Sequence, residues 1–286
     1  LESLKLSNYK INGNLKKTDI NFFDKLEIKN SSFNFIADSN LILINSISFD
    51  FKGILINNGS IAINKKDGFL IEGSLTTDID SDTEKLRDFI KLFPNLDLSN
   101  KKVKILGKIL NKFQFNLDNT LKLRDYNYNL EANLKESKIE LKKNLESSIF
   151  KNEIKEVFFT DSNLKLNLNK KKENEIYMAG LYKLHQDKKY QKYEIKNNFN
   201  QSNSKFDVTL DINEHIFVEL LNYKKEKDRV AKINATFYLV NEGINIDKIN
   251  YSEGKNLISL NKLEINKKNQ IKRFKNIKVK TFQNDK

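Results

Sequence analysis

From Phe113 to Leu134 the chain reads FQFNLDNTLKLRDYNYNLEANL, with apolar residues at Phe113, Phe115, Leu117, Leu121, Leu123, Tyr126, Tyr128 and Leu130 and polar ones nearly everywhere between. Successive side chains of a β-strand point to opposite faces, so a two-residue beat of this kind makes one apolar and one wetted face. The same beat recurs at Phe33 and Phe35, at Ile47, Phe49 and Phe51, and at Ile61 and Ile63. It returns at Leu164, Leu166 and Leu168, at Phe206, Val208, Leu210 and Ile212, and at Ile233, Ala235, Phe237 and Leu239. These are half-buried strands of an antiparallel sheet, and the fold class expected is mainly β.

Turn signals fall between the runs: Asn12-Gly13, Asn58-Gly59, Asp67-Gly68, Glu242-Gly243 and Glu253-Gly254. Their spacing predicts successive hairpins, a meander. One helix is expected near 82–93, where Ser81 and Glu84 have capping-box spacing and Leu86, Phe89, Ile90 and Phe93 form a stripe ending at Pro94. Residues 214–222 read either as a second short helix or as an apolar strand. A boundary is placed in the polar stretch before residue 158, giving segments 1–157 and 158–286.

Of nine glycines, five stand in the pattern apolar-x-Gly-x-apolar: Gly13, Gly53, Gly73, Gly107 and Gly180. Each would occupy the apolar row with no side chain, which predicts a bulge or a bend in the sheet.

Only 38% of the 286 residues are hydrophobic, so the core is thin for the chain's length. With no cysteine there is neither a disulfide framework nor a thiolate site. His185 and His215 lie thirty residues apart with no second ligand at metal spacing, and they read as surface or edge residues. Asp78, Asp80 and Asp82 start like a calcium loop, but Thr83 replaces its glycine and Phe89 its bidentate glutamate. No phosphate-binding glycine loop and no nucleophile elbow is present, so no catalytic residue, metal or cofactor is expected and the chain reads as a non-enzyme.

The formal charge of +13 is discounted in part, because an Asn-, Lys- and Ile-rich coding bias inflates lysine. From Lys262 to Lys280 eight Lys or Arg face one acid, Glu264. They alternate with Ile277 and Val279 as a solvated outer face should, and no nucleic-acid partner is expected.

A sheet with one apolar face must cover it with another layer, close on itself, or hold a ligand. With few helices and glycines in the apolar row, a strongly curved sheet with the apolar side inward is expected. The runs LESLKLSNYKINGNL, SISFDFKGILINNGSIAI and FKNIKVKTFQND, with their apolar-x-Gly-x-apolar punctuation, resemble the AsmA-like superfamily of the bacterial envelope, of the YhdP and TamB type. The resemblance implies a segment of a longer periplasmic protein, anchored in the inner membrane, whose strands form a U-shaped, taco-like groove. It also implies that phospholipid acyl chains pass along that groove between the inner and outer membranes. Lining residues expected on this basis are Phe49, Phe51, Phe113, Phe115, Leu117, Leu121, Leu123, Phe206, Val208, Leu210 and Ile212. The rival reading from the residues is a structural or adhesive β-protein of the cell surface.

Overall fold

A computed structural model describes residues 9–22, 26–51, 54–65, 67–86, 101–145, 153–185, 187–200, 203–218, 223–225, 229–240, 243–268 and 270–282. Six strands open the chain: β1 (Lys10–Phe22), β2 (Leu26–Asp38), β3 (Leu41–Phe51), β4 (Ile54–Asn64), β5 (Phe69–Asp82) and β6 (Lys101–Leu117). Then follow β7 (Leu123–Leu145), β8 (Ile154–Asn169), β9 (Asn174–Leu184), β10 (Gln191–Phe199) and β11 (Ser204–Ile212). After β12 (Ile216–Val218) and β13 (Tyr223–Lys225) come β14 (Ala231–Val240), β15 (Gly243–Glu253), β16 (Asn256–Asn266), β17 (Ile271–Arg273) and β18 (Asn276–Lys280).

Sixteen of these strands form one antiparallel sheet that is not closed. Its order follows the sequence from β1 to β11, then skips to β14, β15 and β16; β17 and β18 both pair with β16. The skipped strands β12 and β13 pair only with each other, as a separate two-stranded sheet. The expected meander is therefore present, with one small hairpin inserted into it.

The chain divides into two units, one of residues 1–99, 104–134 and 165–172, the other of 100–103, 135–164 and 173–286. The boundary expected near 158 falls inside β8, which continues unbroken from Ile154 to Asn169.

Two of the anticipated turns are strand. Asn12-Gly13 lies inside β1 and Asn58-Gly59 inside β4, because each glycine is paired across the ladder, with Phe35 and Leu75 respectively. Asp67-Gly68 does turn the chain, both residues taking positive φ, 53° and 113°. Gly254, at φ 54°, opens the two-residue turn that joins Glu253 to Asn256.

No helix occurs among the described residues. Of the one expected near 82–93, only the start is described: Ser81 is a buried residue of β5, paired with Ile105. Asp82 closes a turn there, its carboxylate accepting from the Glu84 and Lys85 N–H groups at 3.0 Å each. The Leu86 N–H then donates to the Asp82 carbonyl at 2.9 Å. Residues 87–93 lie outside those described. In the 214–222 stretch, Ile216–Val218 is strand, and 219–222 lie outside the described residues.

Bulges keep the apolar row on one face where the pairing slips. Lys17, Asn30 and Ser46, in three neighbouring strands, take φ values of 49°, 52° and 55°, and the register shifts beside them. One extra residue per strand lets Leu15 and Thr18, Ile28 and Ser31, and Ile44 and Ile47 share a face despite odd spacing. Side chains serve the backbone amides there: Lys17 N–H donates to Ser32 Oγ at 3.0 Å and Asn30 N–H to the Asp19 carboxylate at 2.9 Å. By contrast the ladder runs in unbroken register through Gly13, Gly73, Gly107 and Gly180. These bulges fall on Lys, Asn and Ser and not on Gly13, Gly73, Gly107 or Gly180, for which a bend in the sheet was the other expectation, while Gly53 lies outside the described residues.

Candidate functional site

In antiparallel pairing, residues directly opposite one another share a face. In the first unit the ladder carries one apolar row from strand to strand. Leu15 pairs with Phe33 and Gly13 with Phe35; Phe35 pairs with Ile44, Ile44 with Ile61, Ile61 with Gly73, and Gly73 with Phe113. A second line runs Ile42, Ile63, Ile71, Phe115. The other face holds Glu72 and Gln114, whose amide donates to the Glu72 carboxylate at 2.7 Å.

Glycine has a specific use in this row. A Cβ on Gly13 would lie 2.5 Å from the Phe35 ring, and one on Gly73 would lie 2.4 Å from the Phe113 ring. The cross-strand phenylalanine lies over the bare backbone and fills the missing side chain's place. Phe113 also stacks on Phe115 at 5.4 Å.

The second unit repeats the arrangement. Gly180, Tyr193, Leu210, Ile233, Tyr251 and Ile258 form one row, and Met178, Ile195, Val208, Ala235, Ile249 and Leu260 the next. Phe206 and Phe237, directly paired, stack at 5.0 Å and 8°. Ile277 and Val279 extend the face by pairing with Leu260 and Ile258, which turns Lys278 and Lys280 to the other side.

Most of these apolar side chains are half-buried, not sealed. Phe49, Phe51, Phe113, Phe115, Leu117, Phe206, Val208 and Leu210 all retain partial exposure, and of the anticipated lining residues only Ile212 is buried. Two members of that set do not join the row. Leu121 sits in the loop between β6 and β7, 61% exposed, and Leu123 opens β7 at 46% exposure. The cause is Asp118, whose carboxylate accepts from the Thr120 N–H and hydroxyl and from the Lys122 N–H at 2.7–3.0 Å, closing a turn there. Leu121 takes φ 61° in that turn, and Leu123 starts the next strand in phase with Asp125 and Asn127, not with Tyr126 and Tyr128.

At one strand-end margin of the second unit the apolar face deepens into a cavity of about 270 Å³. Val157, Phe159, Tyr193, Ile195 and Leu210 line it, with Asp187, Asn213 and Glu214 where β9 and β11 end. Tyr193 anchors this wall: its ring meets Phe159 edge-on at 5.3 Å and Tyr182 at 6.1 Å. The Tyr182 hydroxyl donates to the Asp211 carbonyl at 2.8 Å. Burial raises the Tyr182 hydroxyl above the ordinary phenol range, and the negative charges of Asp187, Asp211 and Glu214 push it the same way.

Beside the cavity, the β12–β13 hairpin packs on the sheet. Ile216 and Tyr223 join Ile212, Ala231 and Tyr251 in a buried cluster. A polar chain fastens it: Tyr251 hydroxyl to Tyr223 hydroxyl at 2.9 Å, and Tyr223 hydroxyl to the buried Glu253 carboxylate, which also accepts from the Asn256 amide at 3.1 Å. Burial and the Glu253 hydrogen bond push Tyr223 up to about 12, and burial raises Tyr251 too. Lys225, fully buried, donates to the Glu214 carbonyl at 2.8 Å. Sequence reasoning missed this hairpin, since its strands are only three residues long; the signal available was the apolar group Ile216, Phe217, Leu220, Leu221 followed by a lone Tyr223.

The histidines stand apart from the apolar face. His185 Nδ1 lies 2.6 Å from the Glu156 carboxylate, which also pairs with Lys138. Lys138 and Lys183 each stand 5.4 Å over the Phe158 ring. His215 Nδ1 is bonded to the Lys225 carbonyl at 3.0 Å. Among the described residues no group of His, Cys, Asp and Glu is arranged to hold a metal ion.

Comparison with protein-family models, with curated proteins and with solved structures finds no match for this chain.

Proposed function

We propose that this chain is a non-enzymatic, lipid-carrying segment of a cell-envelope protein, holding phospholipid acyl chains against one apolar sheet face. In this reading the sheet curves into a U-shaped groove in the periplasm. The full-length protein is anchored in the inner membrane and reaches the outer membrane through regions beyond this segment. Lipid moves along the groove between the two.

One observation carries the reading. The apolar row runs from strand to strand through each unit, and its side chains remain half-buried, as with Phe113 and Phe115 or Phe206 and Val208. A protein core would seal such a row, since each apolar side chain left partly wet forfeits stabilisation of about 25 cal/mol per Å². An acyl chain laid on the face recovers about 0.8 kcal/mol per buried methylene and requires no polar partner. The opposite face, with Lys205, Asp207, Thr209 and Asp211 on β11, suits water.

Native mass spectrometry and solvent extraction of the purified protein test this. Phospholipid is expected with the wild type and is expected to be lost when Phe206 and Val208 are both changed to Asp. Changing the outward Thr209 to Asp leaves it in place. A folded wild-type protein that carries no lipid and takes up none from vesicles refutes the proposal and favours a structural or adhesive β-protein.

A further inference from the structure

We propose that a cavity in the first unit, where β5 and β7 begin and β6 and β8 end, is a binding site for an uncharged sugar unit of a glycan. The inference goes beyond the acyl-chain reading and does not depend on it, because the cavity opens on the polar side of the sheet. Leu70 pairs directly with Asn116 and Glu72 with Gln114, on the face opposite Ile71 and Phe115.

The cavity encloses about 360 Å³, within the range of about 300–1,000 Å³ usual for small-molecule sites. Most such sites are lined by apolar and aromatic side chains. This one is lined by four carboxamides, those of Gln114, Asn116, Asn127 and Asn169, with Leu70 as its aliphatic member. A carboxamide donates and accepts at once, as a hydroxyl does, so adjacent hydroxyls on a sugar ring match it at both atoms. Leu70 offers an aliphatic surface to the C–H face of the same ring.

The carboxamides keep hydrogen-bonding capacity for a ligand. Among the described residues the Asn116 side chain has no protein partner. Gln114 donates one N–H to the Glu72 carboxylate at 2.7 Å and retains its carbonyl oxygen, and Asn127 accepts from the Asn129 amide at 3.3 Å and retains its N–H groups. Asn169 fixes the far wall, its carbonyl oxygen accepting from the Lys171 and Lys172 N–H groups at 2.9 and 3.1 Å.

The charges beside the cavity are already answered. Asp125, the carboxylate among the lining residues, pairs with the Lys171 ammonium at 2.6 Å and accepts from the Tyr126 N–H at 3.0 Å. The Lys170 ammonium donates to the Arg124 carbonyl at 2.6 Å. An ionic ligand gains no unpaired counter-charge from these groups, whereas a neutral polyol needs none.

Isothermal titration calorimetry with maltotriose, cellotriose and tri-N-acetylchitotriose tests the assignment. At least one of the three is expected to bind at one per chain, with an affinity that stays constant between about 50 and 500 mM salt because no ion pair forms. Asn116→Leu is expected to weaken that binding about tenfold, the worth of one or two net hydrogen bonds. Asn127→Leu is expected to act in the same direction and serves as the second arm should the first variant not fold. Asn45→Leu makes the same change on the same face but outside the cavity, and is expected to leave binding intact. Copurified phospholipid is expected to be unchanged in all three variants.

No binding of any of the three sugars, or full binding by folded Asn116→Leu and Asn127→Leu proteins, overturns the site. Binding that falls steeply with salt overturns the uncharged ligand. Equal weakening by Asn45→Leu spreads the contact over the whole polar face and overturns the cavity as its seat. None of these outcomes bears on the lipid reading, which stands or falls on copurified phospholipid alone.

Discussion

The Tyr193 hydroxyl donates to Ser162 Oγ at 2.8 Å, from the strand on one side of β9 to the strand on the other, passing over Gly180. The bond exists because Gly180 has no side chain. A Cβ there would lie 2.5 Å from Ser162 Oγ and 2.7 Å from Ser162 Cα. Both polar partners are buried, and Ser162 passes the hydrogen bond on to the Thr160 carbonyl at 3.2 Å.

Gly180→Ala is therefore expected to destabilise the protein by about 1–3 kcal/mol, the usual cost of overpacking. Gly13→Ala should cost less, since its Cβ would meet only the far edge of the Phe35 ring, which can turn aside. Urea denaturation of the two variants measures the difference. Equal losses would show that the backbone contact at Ser162 does not matter.

The hairpin latch gives a pH signature. Tyr223 has an ordinary value of 10.0 and is pushed up to about 12 by burial and by its bond to Glu253. A proton held more tightly in the folded state contributes stability that is complete below about pH 10 and is lost as pH rises toward 12. The stability difference between wild type and Tyr223→Phe should hold constant up to about pH 10 and shrink above it. A difference that stays flat from pH 8 to 12 contradicts the latch.

Glu253 is the acceptor at the end of the same chain. Replacing it with Ala takes the acceptor from the Asn256 amide and from the buried Tyr223 hydroxyl, which keeps only its bond to Tyr251, with an expected loss of about 1–3 kcal/mol. Combining it with Tyr223→Phe removes the hydroxyl that Glu253 would have accepted from. A double-mutant cycle by thermal unfolding should therefore show less-than-additive losses, and strict additivity would argue against the bond.

Leu121 occupies the left-handed region at φ 61° in the turn closed by Asp118. A left-handed conformation costs a side-chain-bearing residue roughly 1–2 kcal/mol, and Asn pays less of it than Leu. Leu121→Asn is expected to raise stability by about 0.5–1 kcal/mol, with copurified lipid unchanged because the side chain lies off the apolar row. Reduced lipid in this variant would return Leu121 to the groove.

Period-two alternation is a property of the backbone, so the strands, their antiparallel order and the apolar identity of one face were legible in residues such as Phe113, Phe115, Val208 and Leu210. The phase of that face was not. Whether Leu121 and Leu123 continue the row after Leu117 depends on where Asp118 turns the chain, and whether Gly13 is turn or strand depends on a ring from β2. Bulges at Lys17, Asn30 and Ser46 likewise shift register without a glycine to mark them. The cavity and the hairpin beside it were invisible for a stronger reason. They join residues 154–159, 182–185, 187–195, 210–218 and 223–225, and only the pairing of β8 to β11 brings those stretches to one margin. Local chemistry along the chain determines which way each side chain faces; which side chains then meet is settled by hydrogen-bond register between strands, and no single strand encodes it.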